Sequence, residues 1–191
     1  MGNDGCWNLL REQTLLETPH LTVVQESIAT SARPEGTEWL NVRRKQAAVI
    51  APRTVDGRFV LIHQERIPAR RILWEFPAGQ IDGEVTEASI RATALRELAE
   101  ETGYAPQDNA LDSLGGYFAS PGFTNEYMHL FLARDVVTLP QGHAPEESER
   151  ILEVRVFPLQ EIIEMIRKGE IQDANTLCLV AKMFSMNLLT L

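Results

Sequence analysis

Arg96-Glu97-Leu98-Ala99-Glu100-Glu101, followed by Thr102-Gly103-Tyr104, lies midway along the chain and sets three carboxylates within five residues. The segment reads as a helix. Glu97 stands three residues before Glu100 and four before Glu101, so the three share an arc of about 100° on a helical surface. Ala88, Ala92, Leu95 and Ala99 form a small apolar stripe on roughly the opposite side. The expectation is one face packed on a core and one face gathering negative charge. Like charges at this spacing repel and destabilise a helix. A set of hard oxygen ligands for Mg²⁺ or Mn²⁺ is a reason to keep them; a solvated acidic face is the plainer alternative.

The 191-residue chain is long enough for one substantial core or one domain with an appendage. With 44% apolar and 24% charged residues it has the composition of a soluble globular protein. A net charge of −9 argues against nonspecific binding to nucleic-acid backbones. A small anionic substrate stays possible if local arginines and a metal offset the repulsion. Cys6 and Cys178 lie far apart without metal-ligand spacing, which suggests a reducing compartment and no disulfide framework. No apolar run is long enough to span a membrane, and residues 1–8 lack the pattern of a signal peptide; cytoplasm is the expected location.

Strand-like runs occur at residues 21–24, 39–42, 47–51, 58–64, 127–133 and 151–157. Residues 31–36 carry a turn signal, and Asp56-Gly57 favours a tight hairpin because glycine accepts positive φ. The acidic helix is expected over 84–102, with Gly103 suited to end it. Residues 159–168 and 176–189 have helical spacing. Strands before, beside and after one long helix make the class α+β.

The acidic segment resembles the Nudix box, Gly-x5-Glu-x7-Arg-Glu-U-x-Glu-Glu-x-Gly-U, with U aliphatic. Gly79, Arg96, Glu97, Leu98, Glu100, Glu101 and Gly103 match in identity and order, and Tyr104 takes the last apolar place. Trp74-Glu75-Phe76-Pro77-Ala78-Gly79 and Ser120-Pro121-Gly122-Phe123-Thr124 are similar to stretches of the ADP-ribose pyrophosphatase branch of that family. One departure is clear: from Gly79 to Arg96 the chain runs three residues longer than the pattern. The excess reads as one extra helical turn near residues 90–93, which leaves the helix faces nearly in register. It puts in doubt the pairing of Arg96 with Glu84, for which Glu87 is a substitute.

The resemblance implies an α/β/α sandwich around a mixed sheet over residues 45–191. It also implies a small N-terminal β segment over 1–44 that packs across a homodimer; an extra edge on the same subunit is the alternative. It further implies metal-dependent hydrolysis of a nucleoside diphosphate sugar, most readily ADP-ribose to AMP and ribose 5-phosphate. Other nucleotide-sugar or dinucleotide pyrophosphatases, or a binding module with little turnover, are the rivals. By the same resemblance Glu97, Glu100, Glu101 and the Ala78 carbonyl hold Mg²⁺ or Mn²⁺, and Arg96 serves beside them. Glu149 or Glu147 supplies a general base from a loop, although Arg150 stands nearest the family position; a merely solvated loop, or a box glutamate as base, remains open. Trp39 stacks on a base or belongs to the core. Arg44 and Arg66 contact phosphate, Glu75 bonds substrate or anchors its loop, and Gly79 and Glu126 border the ligand. His63 and His129 fit core or edge positions.

Overall fold

The computed structural model describes residues 7–144 and 150–190. Its elements in chain order are β1 (Trp7–Glu17), β2 (Thr22–Thr30), β3 (Arg33–Arg43), β4 (Ala47–Thr54), β5 (Phe59–Arg66), β6 (Arg71–Glu75), β7 (Ala78–Gln80), α1 (Glu87–Thr102), β8 (Tyr104–Pro106), β9 (Leu111–Phe118), β10 (Tyr127–Thr138), β11 (Ile151–Phe157), α2 (Leu159–Lys168) and α3 (Ala174–Ser185). The chain divides into two compact units. One comprises the residues up to Lys45 with Phe118–Tyr127; the other comprises Gln46–Tyr117 and Met128–Leu191.

The larger unit is a mixed sheet with strand order β11-β5-β4-β10-β8, with β6 on β5, β7 on β4 and β9 on β10. Strands β4 and β10 are parallel, whereas β5 runs antiparallel to both β6 and β11. Successive strand residues face opposite sides, and here both sides are covered. On one side Val49, Leu61, Leu130 and Phe157 pack with Ile162 of α2 and Leu179 and Met183 of α3. On the other side Ala48, Ile50, Val60 and Phe131 pack with Ala94 and Leu98 of α1. This is the expected α/β/α arrangement, and it explains why β4 begins with six consecutive buried residues. Each fully buried large side chain in these layers contributes about 1.5–3 kcal/mol of transfer free energy.

The smaller unit is a three-stranded antiparallel sheet in the order β1-β2-β3, separate from the sandwich sheet. Within this unit Val42 N–H donates to the Phe123 carbonyl at 2.8 Å, joining β3 to the 118–127 loop.

The acidic helix differs from expectation in two respects. It begins at Glu87 because Thr86 caps it: the Thr86 hydroxyl accepts from Ser89 N–H, and the Ser89 hydroxyl accepts from Thr86 N–H. It runs unbroken through residues 90–93 and ends at Gly103, whose φ of 72° is the left-handed value expected there. The packed face is not the alanine stripe. Ala88 and Ala92 are exposed, and Leu95 and Ala99 only partly buried; the buried set is Thr93, Ala94, Glu97, Leu98, Glu101 and Thr102. Leu98 is the one large apolar side chain fully buried from this helix, and it turns two glutamates inward with it.

Candidate active site

Strand β7 runs antiparallel to β4, with Gly79 opposite Ala48 and Ala78 opposite Val49, and α1 packs against both strands. Close approach needs the missing side chain at Gly79: a Cβ there would lie 1.9 Å from the Glu97 carboxyl group. Glu97 is 6% exposed and Glu101 is fully buried. Glu101 Oε2 accepts from Ala78 N–H at 2.8 Å, so this carboxylate ties the helix to the loop in front of it.

Arg96 bridges the other two box glutamates. Its guanidinium donates to Glu97 Oε1 and to Glu100 Oε2, each at 2.6 Å. Burial works against the Arg96 charge, but Glu97 and Glu100 outweigh it and lift the pKa above the usual arginine value. The pairing with Glu84 that the lengthened segment puts in doubt is not formed, nor is one with its substitute Glu87: both are exposed, one in the preceding loop and one at the first helical position. The physical reason is proximity, since Glu97 is adjacent and Glu100 lies one turn along the same helix.

Arg66, at the end of β5, donates through Nε to both Glu75 oxygens at 3.0 Å and through a terminal nitrogen at 2.5 Å. This forked geometry marks an ionised pair. Burial disfavours the Arg66 charge, yet Glu75, Glu101 and Asp173 together hold the guanidinium above its ordinary pKa. Burial also pushes the Glu75 carboxyl above its usual range, against the pull of Arg66. Glu75 is 1% exposed and serves as the anchor of Arg66.

The structure thus brings Arg66, Glu75, Ala78, Gly79, Arg96, Glu97, Glu100 and Glu101 together within the sandwich unit. Trp39, Arg44 and Glu126 gather in the smaller unit. Trp39 is 53% exposed on β3, so it is not a core residue. With Glu26, Asn41, Pro121, Phe123 and Asn125 it lines a cleft of about 190 Å³. Arg44 N–H donates to Asn125 Oδ1 at 3.0 Å, and its guanidinium pairs with Glu126 at 3.0 Å. Residues 120–124 form a tight loop, closed by Phe123 and Thr124 N–H donating to the Ser120 carbonyl. Glu147 and Glu149 lie outside the described residues. Arg150 is exposed, and its carbonyl accepts from Glu65 N–H at 3.0 Å.

His63 stacks on Trp74 with ring centroids 4.4 Å apart. His129 meets Gln46 Oε1 at 2.7 Å through Nε2. A residue that the sequence reading passed over is Thr176, whose hydroxyl accepts from Phe76 N–H at 2.8 Å. The one available signal was Asp173-Ala174-Asn175-Thr176, a helix-capping spacing that says nothing of a distant loop.

The donor set is wholly oxygen, which suits a hard divalent cation, and glycine at 79 leaves the space that Glu97 fills. Among the described residues no three acidic, histidine or cysteine side chains converge closely enough to hold one ion. Two of the three box carboxylates are held by Arg96 instead.

Residues 42–180 match the NUDIX domain family. The ADP-ribose pyrophosphatase of Bacillus subtilis (strain 168) is 34% identical over 136 residues, covering 71% of this chain and 70% of that protein. The GDP-mannose pyrophosphatase of Cronobacter sakazakii (strain ATCC BAA-894) is 34% identical over 146 residues, 72% of each. The methanol dehydrogenase activator of Bacillus methanolicus is 31% identical over 140 residues, 73% of this chain and 72% of its own. Among solved structures, the crystal structure of an ADP compounds hydrolase superposes with a TM-score of 0.75 over 95% of this chain and 94% of that one; at 19% identity the likeness is one of fold.

Proposed function

The chain belongs to the NUDIX family and is a Nudix hydrolase, and from that premise we propose that it hydrolyses the pyrophosphate bond of a nucleoside diphosphate sugar, with ADP-ribose cleaved to AMP and ribose 5-phosphate. The observation that carries the reading is the box itself: Glu97 and Glu100 bridged by Arg96, beside Glu101 bonded to Ala78 N–H. The ADP-ribose pyrophosphatase relative supports the choice of substrate. The GDP-mannose pyrophosphatase relative, equally identical, favours GDP-sugars as the second reading.

Glu97, Glu100, Glu101 and the Ala78 carbonyl are the residues that would hold Mg²⁺ or Mn²⁺. When bound, such a cation would neutralise phosphoryl oxygens and acidify a water for in-line attack. Arg96 stands ready to balance the carboxylates and must release at least one of them for a ligand role. Arg66, held by Glu75, offers a positive charge to a phosphate. Trp39 offers a half-exposed ring to a base, and Arg44, in the same unit, carries a guanidinium paired with Glu126. A general base from the loop of Glu147 and Glu149, or from the box, completes the scheme. The exposed apolar strand β1 supports a homodimer. Among the described residues no helix is long and apolar enough to cross a membrane, and cytoplasm is the proposed location.

The test is phosphate release, through a coupled phosphatase, from a panel of nucleotide sugars with Mg²⁺ or Mn²⁺. ADP-ribose among the best substrates is the expected result. A clear preference for GDP-mannose would move the assignment to the second reading, and binding without cleavage would make the protein a ligand-binding module. Glu101→Gln keeps an oxygen for Ala78 N–H and creates no cavity, but removes a charge. It is expected to cut turnover by about 10²–10³-fold with an unchanged thermal midpoint.

A further inference from the structure

The loop from Glu75 to Gly79 carries two of the groups assigned above, the Glu75 carboxylate and the Ala78 carbonyl, yet belongs to no helix and to only the ends of two short strands. Its placement depends on where its backbone bonds go. Ala78 N–H goes to Glu101. The Pro77 carbonyl accepts from Ile50 N–H at 3.0 Å. Phe76 N–H goes to the Thr176 hydroxyl, 100 residues away in sequence. Phe76 is 1% exposed and Thr176 is fully buried, so solvent does not offer this N–H a replacement.

The direction of that last bond is determined. A backbone N–H can only donate, so the Thr176 oxygen must accept from it. The hydroxyl proton must then go elsewhere, and Asp173 Oδ2 receives it at 2.8 Å while also accepting from Thr176 N–H at 2.8 Å. Asp173 is the N-cap of α3. A single carboxylate therefore caps the helix and orients the hydroxyl so that a lone pair faces Phe76. The same carboxylate acts electrostatically on both Arg66 and Glu75. The C-terminal helix is thereby wired to the loop in front of the box, on the side of the sheet opposite α1.

We propose that Thr176, oriented by Asp173, is a positioning residue for the hydrolytic reaction: through Phe76 N–H it holds the loop that presents Glu75 and the Ala78 carbonyl. This rests on the assignment of that loop to the active site of a pyrophosphatase. The role demands a hydroxyl and not bulk. Valine at 176 would keep the shape and strand the Phe76 N–H; serine would keep the bond.

The experiment compares wild type, Thr176→Val and Thr176→Ser in three readouts: steady-state hydrolysis of the best nucleotide sugar, Mn²⁺ affinity by calorimetry, and exchange of the Phe76 amide proton. For Thr176→Val the expected results are a fall in kcat of about ten- to a hundredfold with KM changed less than about twofold. Mn²⁺ binding weakens and Phe76 exchange speeds up, while Thr176→Ser stays within about threefold of wild type in each. Wild-type kcat and Mn²⁺ affinity in Thr176→Val, or serine behaving like valine, would overturn the proposal. If Thr176→Val does not fold, Thr176→Ser decides alone: losses in kcat and in Phe76 protection reject it, and near-wild-type values support it. A wild-type protein that cleaves no nucleotide sugar would sink the pyrophosphatase reading separately, since Phe76 exchange and Mn²⁺ affinity are read without turnover.

Discussion

Gly79 is the residue at which the family pattern acquires a physical cause. Its backbone does not need the left-handed region; what it needs is the absence of a Cβ, because the Glu97 carboxyl group occupies that space. The atoms that would be struck are the carboxyl group and Cγ of Glu97 and not backbone, so alanine is accommodated only by moving a buried carboxylate that Arg96 holds. Gly79→Ala is therefore expected to cost about 1–3 kcal/mol in denaturant unfolding, the range for adding a methyl group to a packed interior. Turnover and Mn²⁺ affinity should each fall about tenfold or more, because a box carboxylate is displaced. A large loss of stability with normal turnover would refute this account. At Trp39 the opposite logic applies. Its ring is half exposed and lines a cleft, so Trp39→Ala should leave unfolding almost unchanged and raise KM for ADP-ribose by about tenfold, with kcat little altered. An unchanged KM would remove Trp39 from the substrate contacts. The sequence alone made Gly79 and the three glutamates stand out, because their spacing is specific. It could not reveal that Glu97 and Glu101 would be buried, since burial here follows from Ala94 and Leu98 facing the sheet.

At the scale of elements, legibility followed length and periodicity. Helix α2 and strand β11 coincide with the expected ranges, β4 and β10 cover theirs and run on past the expected ends, and β5 starts one residue later and ends two residues later than expected. Strands β6, β7, β8 and β9 were not foreseen: three of them are three to five residues long, and β9 contains Gly115 and Gly116. In β1 the apolar residues come as pairs, Leu9-Leu10 and Leu15-Leu16, so no period of two is visible. The structure accounts for the pairs: Leu10 and Leu15 are the extra residues of two bulges against β2. Between β4 and β10 the contact of His129 with Gln46, the residue preceding β4, carries a pH signature. Burial pushes the His129 pKa below its ordinary value, so the folded protein prefers the neutral ring. The unfolded chain takes up a proton first as pH falls below about 6.5, and stability from this residue is full above that point and lost as pH drops through the lower folded value. Urea midpoints measured between pH 7.5 and 5 should fall more steeply for wild type than for His129→Gln. Equal slopes would show that His129 titrates alike in the two states.

For the whole molecule, the feature that the sandwich does not explain is strand β1. Every one of its residues is exposed, including Trp7, Leu9, Leu10, Leu15 and Leu16, each 49–68% accessible. Among the described residues it is also an edge strand, paired only with β2, so one row of its backbone donors and acceptors is open. A long, apolar, unpaired edge is a site of uncontrolled association unless something covers it. A second copy of the chain is the occupant that needs no other component, and a self-complementary contact of about 800 Å² per partner would make it stable. The two bulges then have a use: each re-aims a leucine out of the regular pleat, which brings apolar side chains to the surface a partner would meet. Sedimentation velocity at micromolar concentration is expected to find a dimer for wild type. The double substitution Leu10→Glu with Leu15→Glu, which places four charges across that contact in a dimer, should give a monomer that remains folded, since neither residue is buried in its own subunit. A monomeric wild type would leave the apolar strand without this explanation, and a dimer that survives both substitutions would move the interface elsewhere on the molecule.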